Sequence, residues 1–129
     1  MPDLSSPCGV WRLTVRRLGS FRARTDQFGV LARIESDGTV TVFAGGSTAA
    51  PSIGAWRSAG PGRVVMLAES FVTAPGGNTL GRLSVRAAAE LTGDGVSCRA
   101  RLQWQRIDLE GRPLAMPVHA EAEGTRLTP

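Results

Sequence analysis

Apolar and polar residues alternate along most of this chain, and no long stretch repeats with helical period. Segment 9–17 sets Trp11, Leu13 and Val15 against Arg12, Thr14 and Arg16. Segment 27–35 puts Phe28, Val30, Ala32 and Ile34 on one face, and 39–43 carries the apolar pair Val40 and Val42. A short segment at 53–57 and a strongly apolar one at 63–72 follow. Segment 80–91 sets Leu83, Val85, Ala87, Ala89 and Leu91 against Arg82, Ser84, Arg86, Ala88 and Glu90. Segment 96–107 sets Val96, Cys98, Ala100, Leu102 and Trp104 against Ser97, Arg99, Arg101, Gln103 and Gln105. The last, 116–127, sets Val118, Ala120 and Ala122 against His119, Glu121 and Glu123. A two-residue period means a strand with one buried and one wet face.

Turn-forming residues punctuate these segments, as at Ser36-Asp37-Gly38, Gly60-Pro61-Gly62, Gly76-Gly77-Asn78, Gly93-Asp94-Gly95 and Asp108 to Gly111. Eight strands in a meander predict an all-β fold, an eight-stranded antiparallel up-and-down β-barrel, because closure removes the two unpaired edges. Arg99 and Arg101 are expected near Glu121 and Glu123 across the last hairpin. Stretches 18–26 and 44–52 read as loops at barrel mouths, the second as a mobile lid. Residues 1–7 read as a disordered tail, which leaves 8–129 as a single barrel domain.

Gly9-Val10-Trp11 opens the first strand and Gly124-Thr125-Arg126 closes the last. In a closed barrel these strands are neighbours, so the Arg126 guanidinium can lie over the Trp11 ring as a cation–π stack worth about 1–2 kcal/mol where partly desolvated. This arrangement resembles the calycin superfamily of lipocalins, fatty-acid-binding proteins and avidins, whose shared mark is an early glycine–x–tryptophan with a late arginine packed over it. The layout is also similar to small lipocalin-like proteins of actinobacteria. The resemblance implies a lipocalin-like barrel with a ligand in its interior. It implies no catalytic residue. Three departures matter: the chain is shorter than a typical secreted lipocalin and lacks that group's other motifs, an avidin-type biotin site uses tyrosine, which is absent here, and a haem-binding barrel would need His119 as its proximal ligand and a glycine pattern that is missing after Trp11.

Composition narrows the chemistry. The 129 residues suit one domain with one core. All 15 basic residues are arginine and there is no tyrosine, so neither a lysine Schiff base nor a phenolic acid is available. The wealth of Arg, Ala and Gly suits a GC-rich, actinobacterium-like coding sequence. The net charge of +4 raises the question of nucleic acid, but the arginines are scattered and few aromatics are interleaved with them, so no nucleic-acid partner is expected. No apolar run is long enough to span a bilayer as a helix, and no secretion signal is recognisable; a cytoplasmic protein with Cys8 and Cys98 as free thiols is expected. One histidine and dispersed carboxylates offer no metal site, and no cofactor motif is present.

The faces assigned inward carry many small residues: Ala32, Ala87, Ala89, Cys98, Ala100, Ala120 and Ala122. An eight-stranded barrel is just wide enough to be filled or to hold one small ligand, and small walls favour the hollow. Phe28, Trp56, Met66, Val85, Leu102 and Trp104 are the candidate ligand-contacting residues. Glu69 lies in the apolar fifth segment, where alternation does not fix its side. Facing inward, it would be a general acid with a raised pKa; facing outward, it would pair with an arginine of a neighbouring strand. His119 shares a face with Glu121 and Glu123, so it points to solvent unless a bulge at Pro117 reverses it.

Two functions from different classes follow. One is a cofactor-independent cyclase or isomerase of specialised metabolism acting on a small hydrophobic molecule, with Trp56 and Trp104 holding the substrate and Glu69 polarising it. The other is a non-catalytic carrier or sequestering protein using the same cavity. A packed structural barrel is the third option, and a homodimer is open to any of them.

Overall fold

The computed structural model describes residues 6–19, 27–45 and 50–129. Eight strands are β1 (Gly9–Arg17), β2 (Gln27–Ile34), β3 (Thr39–Ala44), β4 (Ser52–Gly60), β5 (Arg63–Thr73), β6 (Thr79–Leu91), β7 (Ser97–Ile107) and β8 (Val118–Arg126). Each pairs antiparallel with its chain neighbours, and β1 also pairs with β8, so the meander closes into a barrel. The closed eight-stranded antiparallel barrel expected from alternation is the observed one. Among the described residues no helix is long and apolar enough to cross a membrane.

Alternation decides which side chains face inward. Val15, Val30, Ala100, Ala120 and Ala122 form one buried cluster, and Trp11, Ala32 and Cys98 a second towards the barrel's other end. The outer wall is divided. Ion pairs Arg16–Glu121 (3.2 Å) and Arg99–Glu123 (4.0 Å) cross it on the β7–β8–β1 side. Arg101 stands opposite Glu121 in register, but that carboxylate reaches Arg16 instead. Over β2–β5 the outer wall exposes the apolar side chains Leu31, Phe43, Ile53, Leu67 and Phe71 among scattered charged ones.

Glycine permits the tightest strand crossings. A Cβ at Gly54 would collide with the Leu67 carbonyl on β5, and one at Gly124 would meet the Arg12 carbonyl oxygen at 2.5 Å. A side chain at either position would push neighbouring strands apart.

The two ends of the barrel differ. One end holds the turns between β2 and β3, β4 and β5, and β6 and β7, together with the start of β1 and the end of β8. There Trp11, only 3% exposed, donates its indole N–H to the Pro7 carbonyl at 2.9 Å. Ser6 and Pro7, part of the expected tail, are thus tied to the barrel; residues 1–5 lie outside the described residues. At the other end β1 leads to β2 and β3 to β4. Most of the two loops expected there, residues 20–26 and 46–49 with the expected lid, lies outside the described residues.

Candidate functional site

The interior holds a cavity of about 350 Å³. Its wall is almost wholly apolar, because inward positions on β6 and β7 are small: Val85, Ala87 and Ala89 on one strand, Cys98 and Ala100 on the other. Ala89 pairs with Ala100, and Ala87, the next inward position on β6, pairs with Leu102, so three alanines stand together on the cavity wall. Trp11 and Pro7 floor the cavity at one end, and Arg17, Phe28, Ser52, Ser70 and Trp104 border it towards the other.

Floor and mouth each carry an arginine near a tryptophan. At the floor, Cζ of Arg126 lies 4.5 Å from the Trp11 ring centroid. Its Nε donates to Gly95 O at 3.0 Å, and its two terminal nitrogens donate to the carbonyls of Cys8 and Ser6. The closure contact expected from the two ends of the sequence is therefore present, with the guanidinium's hydrogen bonds directed at backbone. At the mouth, Cζ of Arg17 lies 5.8 Å from the Trp104 centroid, and Phe28 meets the same indole edge-on with centroids 5.8 Å apart.

Of the ligand-contacting candidates, Phe28, Met66, Val85, Leu102 and Trp104 border the cavity. Trp56 does not. It shares a rung with Met66, but its indole N–H reaches Glu35 O in the β2–β3 turn at 2.7 Å, which takes the ring to the barrel's rim. Glu69 lies on the outer wall: it shares a rung with Ile53 and Ser84 and accepts a bond from Arg82 at 2.9 Å. The condition attached to its role as general acid, an inward position, is not met. His119 is also outside, exposed beside Gln103, where Arg57, Arg86 and Arg101 border a shallow groove floored by Val65, Leu67 and Ala88. No bulge at Pro117 turns it inward, since β8 keeps its register from Val118 onwards.

Three polar cavity residues escaped the sequence reading: Arg17, Ser52 and Ser70. Arg17 has the parity of Trp11, Leu13 and Val15, which was the available signal. Ser52 and Ser70 are buried and stand one rung beyond the Ile53–Glu69 pair, on the inward face.

Cys98 sits at the floor beside Trp11 and Ala32. Burial pushes its thiol above the ordinary range, partly offset by the Gly124 backbone N–H and the Arg126 charge. Both cysteines are free. Among the described residues no cluster of His, Cys, Asp or Glu is placed to hold a metal ion.

No protein-family model matches the chain, and a comparison with curated proteins finds none similar to it.

Proposed function

We propose that this barrel binds a small hydrophobic molecule in its interior and acts as a carrier or sequestering protein. The observation that carries the reading is the apolar recess of about 350 Å³, floored by Trp11 and walled by alanines. Native interiors are otherwise close-packed, and apolar hollows of such size take up apolar guests. The volume sits at the low end of the roughly 300–1,000 Å³ range of small-molecule sites. Turnover is the less favoured alternative: a cyclase or isomerase needs a proton donor or acceptor at the guest, and Glu69 and His119 both stand on the outer wall.

The test is titration with an environment-sensitive hydrophobic dye. Saturable uptake by the folded chain is expected, and it should be lost in Ala89→Phe and weakened in Ala87→Leu, both of which fill the recess. No saturable uptake, or uptake unaffected by either substitution in a folded protein, would overturn the reading.

Kinship with the calycins belongs to the same proposal, supported by the barrel and by the arginine over Trp11. So does a homodimer, supported by exposed Leu31, Phe43, Ile53 and Phe71 on one side of the wall. Sedimentation of Phe71→Ser against the parent chain tests it; a parent that is monomeric at all concentrations removes it. A reducing, cytoplasmic setting suits the two free thiols.

A further inference from the structure

We infer that the guest is a small carboxylate-headed amphiphile, its head on Arg17 at the mouth and its apolar body directed down the barrel towards Trp11. This rests on the interior being a binding cavity and adds the class of molecule bound.

Among the described residues Arg17 is the only charged one that borders the cavity. Its position is a consequence of strand parity, which puts it on the same face as Trp11, Leu13 and Val15 at the last residue of β1. The two arginine–tryptophan pairs then differ in what remains unused. Arg126 lies at 4.5 Å from its ring and donates to three backbone carbonyls. Arg17 lies at 5.8 Å, close to the ~6 Å limit of such contacts, and among the described residues it has neither an ion-pair partner nor a side-chain hydrogen bond. A guanidinium resting over an indole keeps its N–H donors at the edge of its own plane, where the fork matches a carboxylate.

Ser52 and Ser70 border the same cavity and bring two hydroxyl groups to an otherwise greasy wall. Among the described residues one cation with neutral hydroxyls faces the mouth, a match for one negative charge that favours a carboxylate over a phosphate monoester carrying nearly two. The cavity volume of about 350 Å³ restricts the body to a short chain or a small ring system.

The experiment compares octanoate, octanol and octyl phosphate by dye displacement and calorimetry on the full chain, on Arg17→Gln, and on Arg16→Gln as the outward-facing control. Octanoate should bind the parent about tenfold more tightly than octanol, equivalent to ~1.4 kcal/mol. Arg17→Gln should erase that preference and leave octanol within about twofold, whereas Arg16→Gln should change neither. Equal affinity for acid and alcohol in the parent, or equal weakening of both by Arg17→Gln, would overturn the head site and leave the hydrophobic cavity standing. Octyl phosphate binding more tightly than octanoate would overturn the carboxylate assignment. Failure of all three probes together with the dye would remove the cavity reading itself.

Discussion

Arg126 and Trp11 face each other on one rung of the β1–β8 pairing, and the guanidinium of the first lies over the ring of the second. The contact therefore sits on the seam where a meander becomes a cylinder. Replacing Arg126 with Met keeps much of the apolar stem but leaves the carbonyls of Ser6, Cys8 and Gly95 without their donor. Each unpaired buried acceptor costs about 1–3 kcal/mol where water cannot replace the donor, so Arg126→Met should lower stability by roughly 2–4 kcal/mol. Trp11→Ala should cost about 3–5 kcal/mol. A double-mutant cycle by urea unfolding should find coupling between them, and strict additivity would mean that the stack contributes nothing to closure.

Gly54 offers a sharper test of the barrel's geometry. Gly54→Ala drives a methyl group into the β5 backbone at Leu67, so it should destabilise by more than the ~1–3 kcal/mol of ordinary overpacking. Gly93, in the β6–β7 turn, has open space around it and no left-handed φ, so Gly93→Ala should be neutral or slightly stabilising. Melting curves of the two variants decide it. Equal effects would mean that strand crossing at Gly54 is not tight.

Glu69→Gln separates wall from cavity. The Glu69–Arg82 pair is partly exposed, with side chains 33% and 29% accessible, so its loss should cost no more than about 1 kcal/mol and leave dye uptake unchanged. A large loss of binding on this substitution would require Glu69 to touch the guest.

Acid should weaken the fold through its turns. Asp37 is held below the ordinary carboxylate range chiefly by the Thr39 hydroxyl, Asp94 chiefly by that of Thr92, and Asp108 chiefly by the Arg112 backbone N–H. Where the folded pKa is depressed, the unfolded chain takes up protons first. The stabilisation is thus present above the ordinary aspartate value and is lost as pH falls below about 4. Asp37→Asn should flatten part of that decline in Tm. A Tm unchanged down to about pH 3 would exclude these turns as the acid-labile element.

Cys98 works in the opposite direction. Its folded thiol stays protonated while an unfolded one ionises, so its stabilisation is present below the ordinary thiol value and declines as pH rises above about 8.5. In the native protein it should react with iodoacetamide far more slowly than Cys8, and a bound guest should slow it further, since Cys98 borders the cavity. Mass spectrometry of the alkylated chain measures both effects. A Cys98 as reactive as Cys8 would mean that solvent reaches the floor.

The strand plan was legible because alternation is strict where one face is wet. Strand β1 begins and ends where the pattern places it, and the inward alanines of β6–β8 follow from parity alone. Legibility failed where both faces are apolar. Around Glu69 the period gives no side, and the side is fixed by rung partners such as Ile53 and by Arg82, which are not local in sequence. Trp56 has the parity of Met66, yet a hydrogen bond to Glu35 O draws it away from the interior, and no local pattern encodes that bond. Arg17 was visible in principle, but a charged residue at a strand end is ordinarily assigned to solvent. The mouth itself follows from counting connections in an up-and-down barrel, since the two longest loops in the N-terminal half both attach to the same rim.

Among the described residues Trp11 and Pro7 floor one end of the cylinder, which leaves the opposite end as the doorway for the proposed guest. Arrival and departure must share it, so a second molecule cannot push the first out from behind. Exchange is then dissociative: the rate at which a resident leaves should not depend on how much competitor waits outside. Under the proposed carrier role, a cargo handed on in this way passes through free solution, or through a recipient that docks over the doorway itself.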